Sequence, residues 1–172
     1  EMISREGAGV LEQPDHHVDR GRGGRVALIA ENERDERRVF TYDQLLREVK
    51  QAAAALRGLG IQKGDRIAIY MPTCPEAIVI MLAATRIGAI HLVVFAGFGS
   101  GALAERIQMT GARAVFTADV TWRKGQAVRL KEIVDASLYS GGQTVERVVL
   151  LRRTDGQAPM KPGRDILWEE FL

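Results

Sequence analysis

Short apolar runs alternate with longer amphipathic stretches along most of this chain, and this alternation restricts the folds that it can adopt. Each short run bounded by turn residues predicts a strand, and each stretch with apolar residues at helical spacing predicts a helix. The predicted strands span residues 26–30, 66–70, 90–95, 114–118 and 147–151. Strands separated by helices indicate an α/β fold with a largely parallel sheet flanked by helices and right-handed crossovers. Ligand sites in such sheets lie at the carboxyl ends of the strands.

The helix that begins after Thr41 has the clearest sequence signature. The Thr41 hydroxyl can accept a hydrogen bond from the amide of Gln44, whose side chain can reach back to the Thr41 amide, as in a capping box. Apolar residues then recur at helical spacing until Gly60, which can end the helix. Residues 26–30 and 38–40 together predict a hairpin. Further helices are predicted over residues 76–87, 102–110, 127–138 and 165–172.

Composition excludes several classes of protein. The chain has 172 residues, 46% apolar and 27% charged, with a net charge of +2. These values indicate one soluble globular domain without the strong charge that attracts nucleic acid or anionic membranes. The longest strictly apolar run, residues 77–84, is far shorter than the ~20 residues that span a bilayer. Cys74 is the single cysteine, so a disulfide framework is excluded and a reducing, cytoplasmic location is expected.

Other reactive side chains have simpler structural interpretations. Cys74 is interpreted as an inert, partly buried thiol, and His91 as a packed residue at the start of a buried strand. Asp15, His16 and His17 are adjacent, but no second cluster of His or Cys completes a coordination shell, so no metal site is expected. The Arg- and Gly-rich stretch at 20–25 lacks interleaved aromatic residues and predicts a flexible approach to the first strand rather than an RNA-binding segment.

A glycine motif follows the predicted strand 90–95. Gly97, Gly99 and Ala102 form a G-x-G-x-x-A string, and Asp119 ends the next predicted strand. This spacing is typical of dinucleotide-binding folds, where glycines let the backbone approach a pyrophosphate and the acid binds a ribose. The fingerprint normally follows the strand that opens such a fold, whereas other strands precede it here. One interpretation is a stand-alone Rossmann-like module or an NAD(P)-dependent dehydrogenase fragment. A second is a tight turn without a ligand, and a third is a turn that approaches some other ligand.

A basic segment, residues 122–126, precedes the predicted helix 127–138. Adjacent cations, a glycine and free amides at the start of a helix would together form an anion pocket. Arg123 can bind a phosphate through two parallel donors, Lys124 adds a charge, and Trp122 offers a ring face to a purine. A solvated basic turn is the alternative interpretation.

Further motifs are FTYDQLL at 40–46, GIQKGDR at 60–66, YMPTCPEA at 70–77 and RIGAIH at 86–91. In this order they closely resemble the amino-terminal region of AMP-forming acyl-CoA synthetases, members of the adenylate-forming enzyme superfamily. Residues 93–98, VVFAGF, are similar to the Val-Val-Phe-Gly-Gly-Phe segment of the acetyl-CoA synthetase branch. The resemblance extends from about residue 15 to residue 172. Several matched segments in order are more specific than one glycine motif, so they favour this family over a dehydrogenase.

The resemblance implies a parent enzyme that is an acid–thiol ligase, such as an acetate–CoA ligase. In that reaction a short-chain carboxylate attacks the α-phosphate of ATP to give an acyl-adenylate and pyrophosphate, and the CoA thiol then takes the acyl group and releases AMP. ATP, CoA and Mg²⁺ are therefore the implied cofactors of the parent enzyme. No catalytic residue is expected in this chain, because the family's phosphate-binding loop and carboxy-terminal catalytic lysine have no counterpart in it.

The resemblance also implies a domain organisation. Residues 15–172 are expected to form an amino-terminal α/β subdomain, truncated before the ATP phosphate-binding loop, and residues 1–14 a disordered or atypical segment. The fragment alone is expected to be inactive and to bind none of the cofactors tightly. It is also expected to self-associate through its truncated face.

The same resemblance implies a CoA-binding site. In the acetyl-CoA synthetase branch, the loop that matches residues 123–126 contacts CoA, with its arginine near the phosphorylated end, and the Phe-Gly-Gly turn lines the same channel. The implied CoA-binding residues are Phe95, Ala96, Gly97, Arg123, Lys124, Gly125 and Gln126. Two of them depart from the family pattern, since Ala96 replaces a glycine and Gln126 stands where some relatives have arginine.

Overall fold

The computed structural model describes residues 13–32 and 34–172, which form six helices and nine strands. In chain order the elements are α1 (Pro14–Asp19), β1 (Val26–Glu31), β2 (Arg37–Thr41), α2 (Tyr42–Gly58), β3 (Arg66–Tyr70), α3 (Pro75–Ile87), β4 (Ile90–Val93), α4 (Ser100–Thr110), β5 (Ala114–Ala118), β6 (Val120–Arg123), β7 (Gln126–Arg129), α5 (Leu130–Gly141), β8 (Arg147–Leu151), β9 (Asp165–Leu167) and α6 (Trp168–Phe171).

Five strands form the central sheet in the order β4-β3-β5-β8-β9, and every neighbouring pair is parallel. The connection through α3 leads from β3 to the edge strand β4, whereas the connections through α4 and α5 lead in the opposite direction. Right-handed crossovers that run in opposite directions place their helices on opposite faces of a sheet. In agreement, α3 packs on α2, and α4 packs on α5. The prediction of an α/β fold with a largely parallel sheet flanked by helices is confirmed.

The helix α2 shows how the local sequence builds the core. The Thr41 hydroxyl accepts from the Gln44 amide at 3.3 Å, and the Thr41 amide donates to the Gln44 side chain at 2.8 Å, which confirms the predicted capping box. The helix packs chiefly on α3 and its apolar stripe is buried. Burial of such a stripe supplies most of the stability of a helix of this kind. Its buried residues are Leu45, Leu46, Val49, Ala52, Ala53 and Leu56.

Two antiparallel hairpins accompany the central sheet. β1 pairs with β2, as predicted, and β6 pairs with β7. The prediction of a helix from residue 127 is wrong at its start, since residues 126–129 form β7 and α5 begins only at Leu130. The two residues at the hairpin tip, Lys124 and Gly125, have φ values of 50° and 75°, as a type I′ turn requires.

Two other predictions at the edges of the sheet are corrected. Within the part of the chain that the structure describes, β4 is an edge strand that pairs with β3 alone. Ile90 and Val93 are each 55% exposed, so the interpretation of His91 as part of a buried strand is wrong. A helix over the whole of 165–172 is also wrong, because residues 165–167 pair in parallel with β8 as strand β9. Only the short helix α6 follows it.

A buried ionic cluster joins α5 to Arg164 and to Asp165, the first residue of β9. Lys131 Nζ lies 2.7 Å from the carboxylate of Asp135 and 2.9 Å from that of Asp165. Arg164 contacts both carboxylates, each at 2.5 Å. The side chains of Lys131 and Asp165 are 1% and 0% exposed, so the charges compensate one another inside the protein. Together these contacts fix Asp165 at the start of β9.

A disordered or atypical segment was expected over residues 1–14, of which residues 1–12 lie outside the described residues, while Gln13 precedes α1 and Pro14 is its first residue. From Pro14 the chain forms the short helix α1, whose Asp15 accepts from Arg86 on α3 at 2.9 Å. The ring of His17 stacks on that of Tyr42 with centroids 4.1 Å apart. In the part of the chain that the structure describes, no helix is long and apolar enough to cross a membrane.

Candidate functional site

The candidate site lies at the carboxyl ends of β3 and β4, where parallel sheets commonly bind ligands. After β4 the backbone turns back over the end of β3, and the Phe98 amide donates to the Phe95 carbonyl at 3.0 Å. The hydroxyl of Tyr70, the last residue of β3, donates to the Phe98 carbonyl at 2.6 Å. We call residues 95–98 the 95–98 turn. The turn is therefore tied to the neighbouring strand of the sheet.

The β6–β7 hairpin brings a guanidinium to the 95–98 turn. Arg123, at the end of β6, lies over the ring of Phe95 at 5.1 Å from its centroid, the geometry of a cation–π contact. A Cβ added at Gly97 would meet both the Arg123 guanidinium and the Phe95 ring, so these side chains would have to move to admit it. The structure thus brings together Phe95, Gly97 and Arg123, which were predicted from segments far apart in the sequence.

The other predicted site residues lie around this contact. Ala96 is half-buried, and its carbonyl lies 3.5 Å from the Tyr70 hydroxyl. Lys124 and Gly125 form the exposed hairpin tip, and Gln126 is the strand partner of Arg123. The expected convergence of free amides from a helix start is wrong, because α5 begins beyond β7. The cationic segment is a hairpin rather than a loop at a helix terminus.

Trp122 has a different role from the one expected. The guanidinium groups of Arg34 and Arg153 each lie 5.0 Å from the centroid of its ring. The ring is half-buried and packs against these two cations instead of offering an open face to a purine. The Trp122 contacts therefore attach the hairpin to the β1–β2 connection and to the segment after β8.

Asp119 fixes the base of the same hairpin. Its buried carboxylate accepts from the amides of Val120, Arg153 and Thr154 at 2.7, 2.9 and 3.0 Å, and from the Thr154 hydroxyl at 2.7 Å. Sequence reasoning offered Asp119 as a ribose-binding acid, but its oxygens are already occupied by protein donors. In addition, β3 lies between β4 and β5, so the glycine motif and Asp119 do not belong to adjacent strands. These observations oppose the dinucleotide-binding alternative.

Two buried groups near the site, the Tyr70 phenol and the Cys74 thiol, both have raised pKa values. Burial raises the pKa of the Tyr70 phenol, and the charge of Arg123 opposes this rise. Burial, assisted by the charge of Glu76, raises the pKa of the Cys74 thiol to about 12. Cys74 is therefore a protonated, buried thiol, in agreement with its interpretation as inert. Tyr70 escaped the sequence prediction because a tyrosine that ends an apolar run resembles any other core residue.

Comparison with known proteins identifies the class to which this fold and site belong. The family model described as AMP-binding enzyme matches residues 15–163, and the chain belongs to this family. An acetyl-coenzyme A synthetase of Streptomyces coelicolor is 50% identical over 158 residues, and one of Streptomyces avermitilis is 48% identical over 157. A 3-hydroxypropionyl-coenzyme A synthetase of Sulfurisphaera tokodaii is 46% identical over 158 residues. These alignments cover 91–92% of this chain but only 24% of each relative, so the chain spans about a quarter of their length.

Proposed function

We propose that this chain is the amino-terminal portion of an AMP-forming short-chain acyl-CoA synthetase. The longer enzyme would join a carboxylate such as acetate or 3-hydroxypropionate to CoA with ATP as the energy source, releasing AMP and pyrophosphate. The names of the relatives and the family match over residues 15–163 support this proposal. The domain assignment of residues 15–172 as an incomplete subdomain and a cytoplasmic location are parts of the same proposal.

The single observation that carries the proposal is the contact between Arg123 and the 95–98 turn. The resemblance assigns both segments to CoA binding, and the structure places them against each other at the carboxyl ends of the strands. Among the described residues, no carboxylate forms an ion pair with Arg123, so its charge is available to an anionic ligand. A guanidinium is well suited to the 3′-phosphate of CoA, because it offers parallel donors to phosphate oxygens.

The residues of this chain would contribute binding rather than bond chemistry. Arg123 would bind the phosphate, Gly97 would keep the approach to it open, and Lys124, Gly125 and Gln126 would form the exposed side of the entrance. Ala96 would contribute backbone. CoA bound here would supply the thiol that accepts the acyl group.

ATP and Mg²⁺ belong to the proposed reaction, but the described residues do not provide a metal site. Within residues 13–32 and 34–172, no group of three or more His, Cys, Asp or Glu side chains is placed to hold a metal ion. Self-association of the chain through its truncated face also stays a prediction.

Arg123→Ala in the longer synthetase tests the proposal. Loss of a charge-assisted hydrogen bond of about 1.5–3 kcal/mol should weaken the apparent affinity for CoA by about one to two orders of magnitude. Formation of the acyl-adenylate should be spared, because that step precedes the use of CoA. Steady-state kinetics with CoA varied, beside acetate-dependent ATP–pyrophosphate exchange, measure the two effects separately.

Two controls sharpen this experiment. Arg129→Ala removes another exposed arginine from the same hairpin, where its partner is Glu132, and should leave the CoA requirement unchanged. Dephospho-CoA lacks the phosphate in question, so the parent and the Arg123→Ala variant should use it almost equally well. An unchanged CoA requirement in Arg123→Ala, or equal damage to both half-reactions, would contradict the assignment of Arg123 to the CoA site.

Gly97→Ala should impair the same site without removing a charge. The added Cβ meets the Arg123 guanidinium, which is the end of a flexible side chain, and the ring of Phe95. These side chains can move, so we expect a displaced guanidinium, a CoA affinity lowered about three- to tenfold and little change in folding stability. CoA-dependent kinetics and urea unfolding check the two parts. Gly99→Ala, where nothing lies within 4 Å of a Cβ, is the matched control. Equal effects of the two substitutions on CoA affinity would argue against a special role for Gly97.

A further inference from the structure

A buried tyrosine lies beneath the turn that carries the proposed CoA contacts. Tyr70 is fully buried, and its hydroxyl donates to the Phe98 carbonyl at 2.6 Å. The same hydroxyl lies 3.5 Å from the Ala96 carbonyl. Tyr70 is the last residue of β3, which lies between β4 and β5. Its hydroxyl therefore lies at the carboxyl end of the sheet, under the 95–98 turn.

The 95–98 turn receives limited support from its own residues. Its internal hydrogen bond runs from the Phe98 amide to the Phe95 carbonyl at 3.0 Å. The two rings make an edge-to-face contact with centroids 5.8 Å apart, but Phe95 and Phe98 are 61% and 38% exposed. Exposed rings contribute little burial to hold a turn in place. The hydrogen bond from Tyr70 therefore ties a largely exposed turn to the rigid sheet.

The position of the turn decides where the Arg123 guanidinium lies. The guanidinium rests over the Phe95 ring at 5.1 Å from its centroid and fills the space beside Gly97. A shift of the turn by an ångström would change both contacts. Burial raises the pKa of the Tyr70 phenol, and the charge of Arg123 opposes this rise only in part, so the phenol stays protonated as a donor.

We propose that Tyr70 is a positioning residue for CoA, because its hydroxyl holds the 95–98 turn where Phe95 and Gly97 seat the guanidinium of Arg123. The inference rests on the proposed function, since it assigns CoA as the ligand of Arg123. Tyr70 itself touches no substrate in this scheme. It acts through the turn and through Arg123.

Tyr70→Phe in the longer synthetase removes the hydroxyl and keeps the ring in the core. We expect the KM for CoA to rise about three- to tenfold, as for the loss of one neutral hydrogen bond, with kcat at saturating CoA little changed. The KM values for the carboxylate and ATP should stay close to those of the parent. Tyr139→Phe is the matched control, because it removes the hydroxyl of a tyrosine that is 91% exposed on α5.

A double-substitution experiment separates positioning from a general structural role. If Tyr70 acts through Arg123, Tyr70→Phe should have almost no further effect on the KM for CoA in an Arg123→Ala background. If it merely weakens the fold, its effect should be the same in both backgrounds and should also appear in acetate-dependent ATP–pyrophosphate exchange. Exchange activity also reports whether each variant is folded.

Each outcome bears on one of the two proposals. A raised KM for CoA in Tyr70→Phe that disappears beside Arg123→Ala supports the positioning role. A KM unchanged in Tyr70→Phe but raised in Arg123→Ala overturns the role of Tyr70 and leaves the CoA site standing. A KM unchanged in both variants overturns the CoA site and the positioning role together.

Discussion

Purified alone, the 172-residue chain is expected to release no pyrophosphate above background in an acetate- and ATP-dependent assay. Catalysis of adenylation depends on groups that position the phosphates and stabilise the charge that develops on them. The sequence contains no Ser/Thr/Gly-rich loop ending in Pro-Lys-Gly, which the family resemblance makes the phosphate-binding element. The proposed role of this chain is CoA binding, which does not substitute for those groups. The expected loss of ligase activity is therefore nearly complete.

The comparison for this result is the longer synthetase under the same conditions, which should release pyrophosphate and form the acyl-CoA. Far-UV circular dichroism and a cooperative urea transition should establish that the isolated chain is folded, so that inactivity is not a consequence of unfolding. Pyrophosphate release by the folded chain alone, at a rate near that of the longer protein, would refute the expectation. It would place the adenylation chemistry within these residues.

Asp165→Ala is expected to destabilise the chain by about 3–5 kcal/mol, the usual cost of removing one partner from a buried ion pair. The substitution leaves the charge of Lys131, whose side chain is 1% exposed, without one of its two carboxylates. It also removes a partner of Arg164 and the acceptor of the Lys161 amide. Because small domains have total stabilities of about 5–15 kcal/mol, a large part of the folding free energy would be lost.

Urea unfolding at neutral pH measures this effect, with Asp155→Ala as the control. Asp155 is an exposed aspartate in the segment between β8 and β9, and its substitution should change stability by no more than about 0.5 kcal/mol. A change of less than about 1 kcal/mol in Asp165→Ala would show that the cluster is not the main attachment of β9.

The pH dependence of the parent provides a second measure of the same cluster. Burial would raise the pKa of Asp165, but hydrogen bonds from Arg164, the Lys161 amide and Lys131 outweigh it and hold the pKa below its usual value of 3.8. A carboxyl group whose pKa is lower in the folded state stabilises the protein at pH values above its unfolded-state pKa. This contribution is present above pH 3.8 and is lost as the pH falls toward the folded-state pKa. Asp165→Ala should lack it.

Local sequence patterns predicted most strands of the central sheet. The capping box at Thr41 and Gln44 and the helical apolar spacing after it are short-range features, and the structure reproduces them. The strands β3, β5 and β8 are buried apolar runs whose ends were predicted correctly. The errors lie where long-range contacts decide the conformation. Residues 165–167 form a strand because β8 pairs with them and the buried charge of Lys131 holds Asp165, and both of these partners lie elsewhere in the sequence.

The candidate site was predictable only in part for the same reason. Family resemblance assigned Arg123 and the Phe95–Gly97 segment to the same channel, while their direct contact depends on the strand order and on the β6–β7 hairpin. The hairpin itself was missed because Val128, in β7, also fits the helical spacing of the apolar residues that follow it in α5. The partners of Asp119 at Arg153 and Thr154 lie more than 30 residues away, and no local spacing indicates them.

The left-handed backbone at the hairpin tip has a consequence for protein engineering. Lys124 has a φ of 50°, a conformation that costs a non-glycine L-residue roughly 1–2 kcal/mol relative to ordinary backbone. Asparagine tolerates this region better and, before Gly125, would give the Asn-Gly pair that type I′ turns prefer. A designer who optimised the hairpin for thermostability alone would therefore replace Lys124. The same replacement would remove one of two adjacent cations, so stability and surface charge compete at this position.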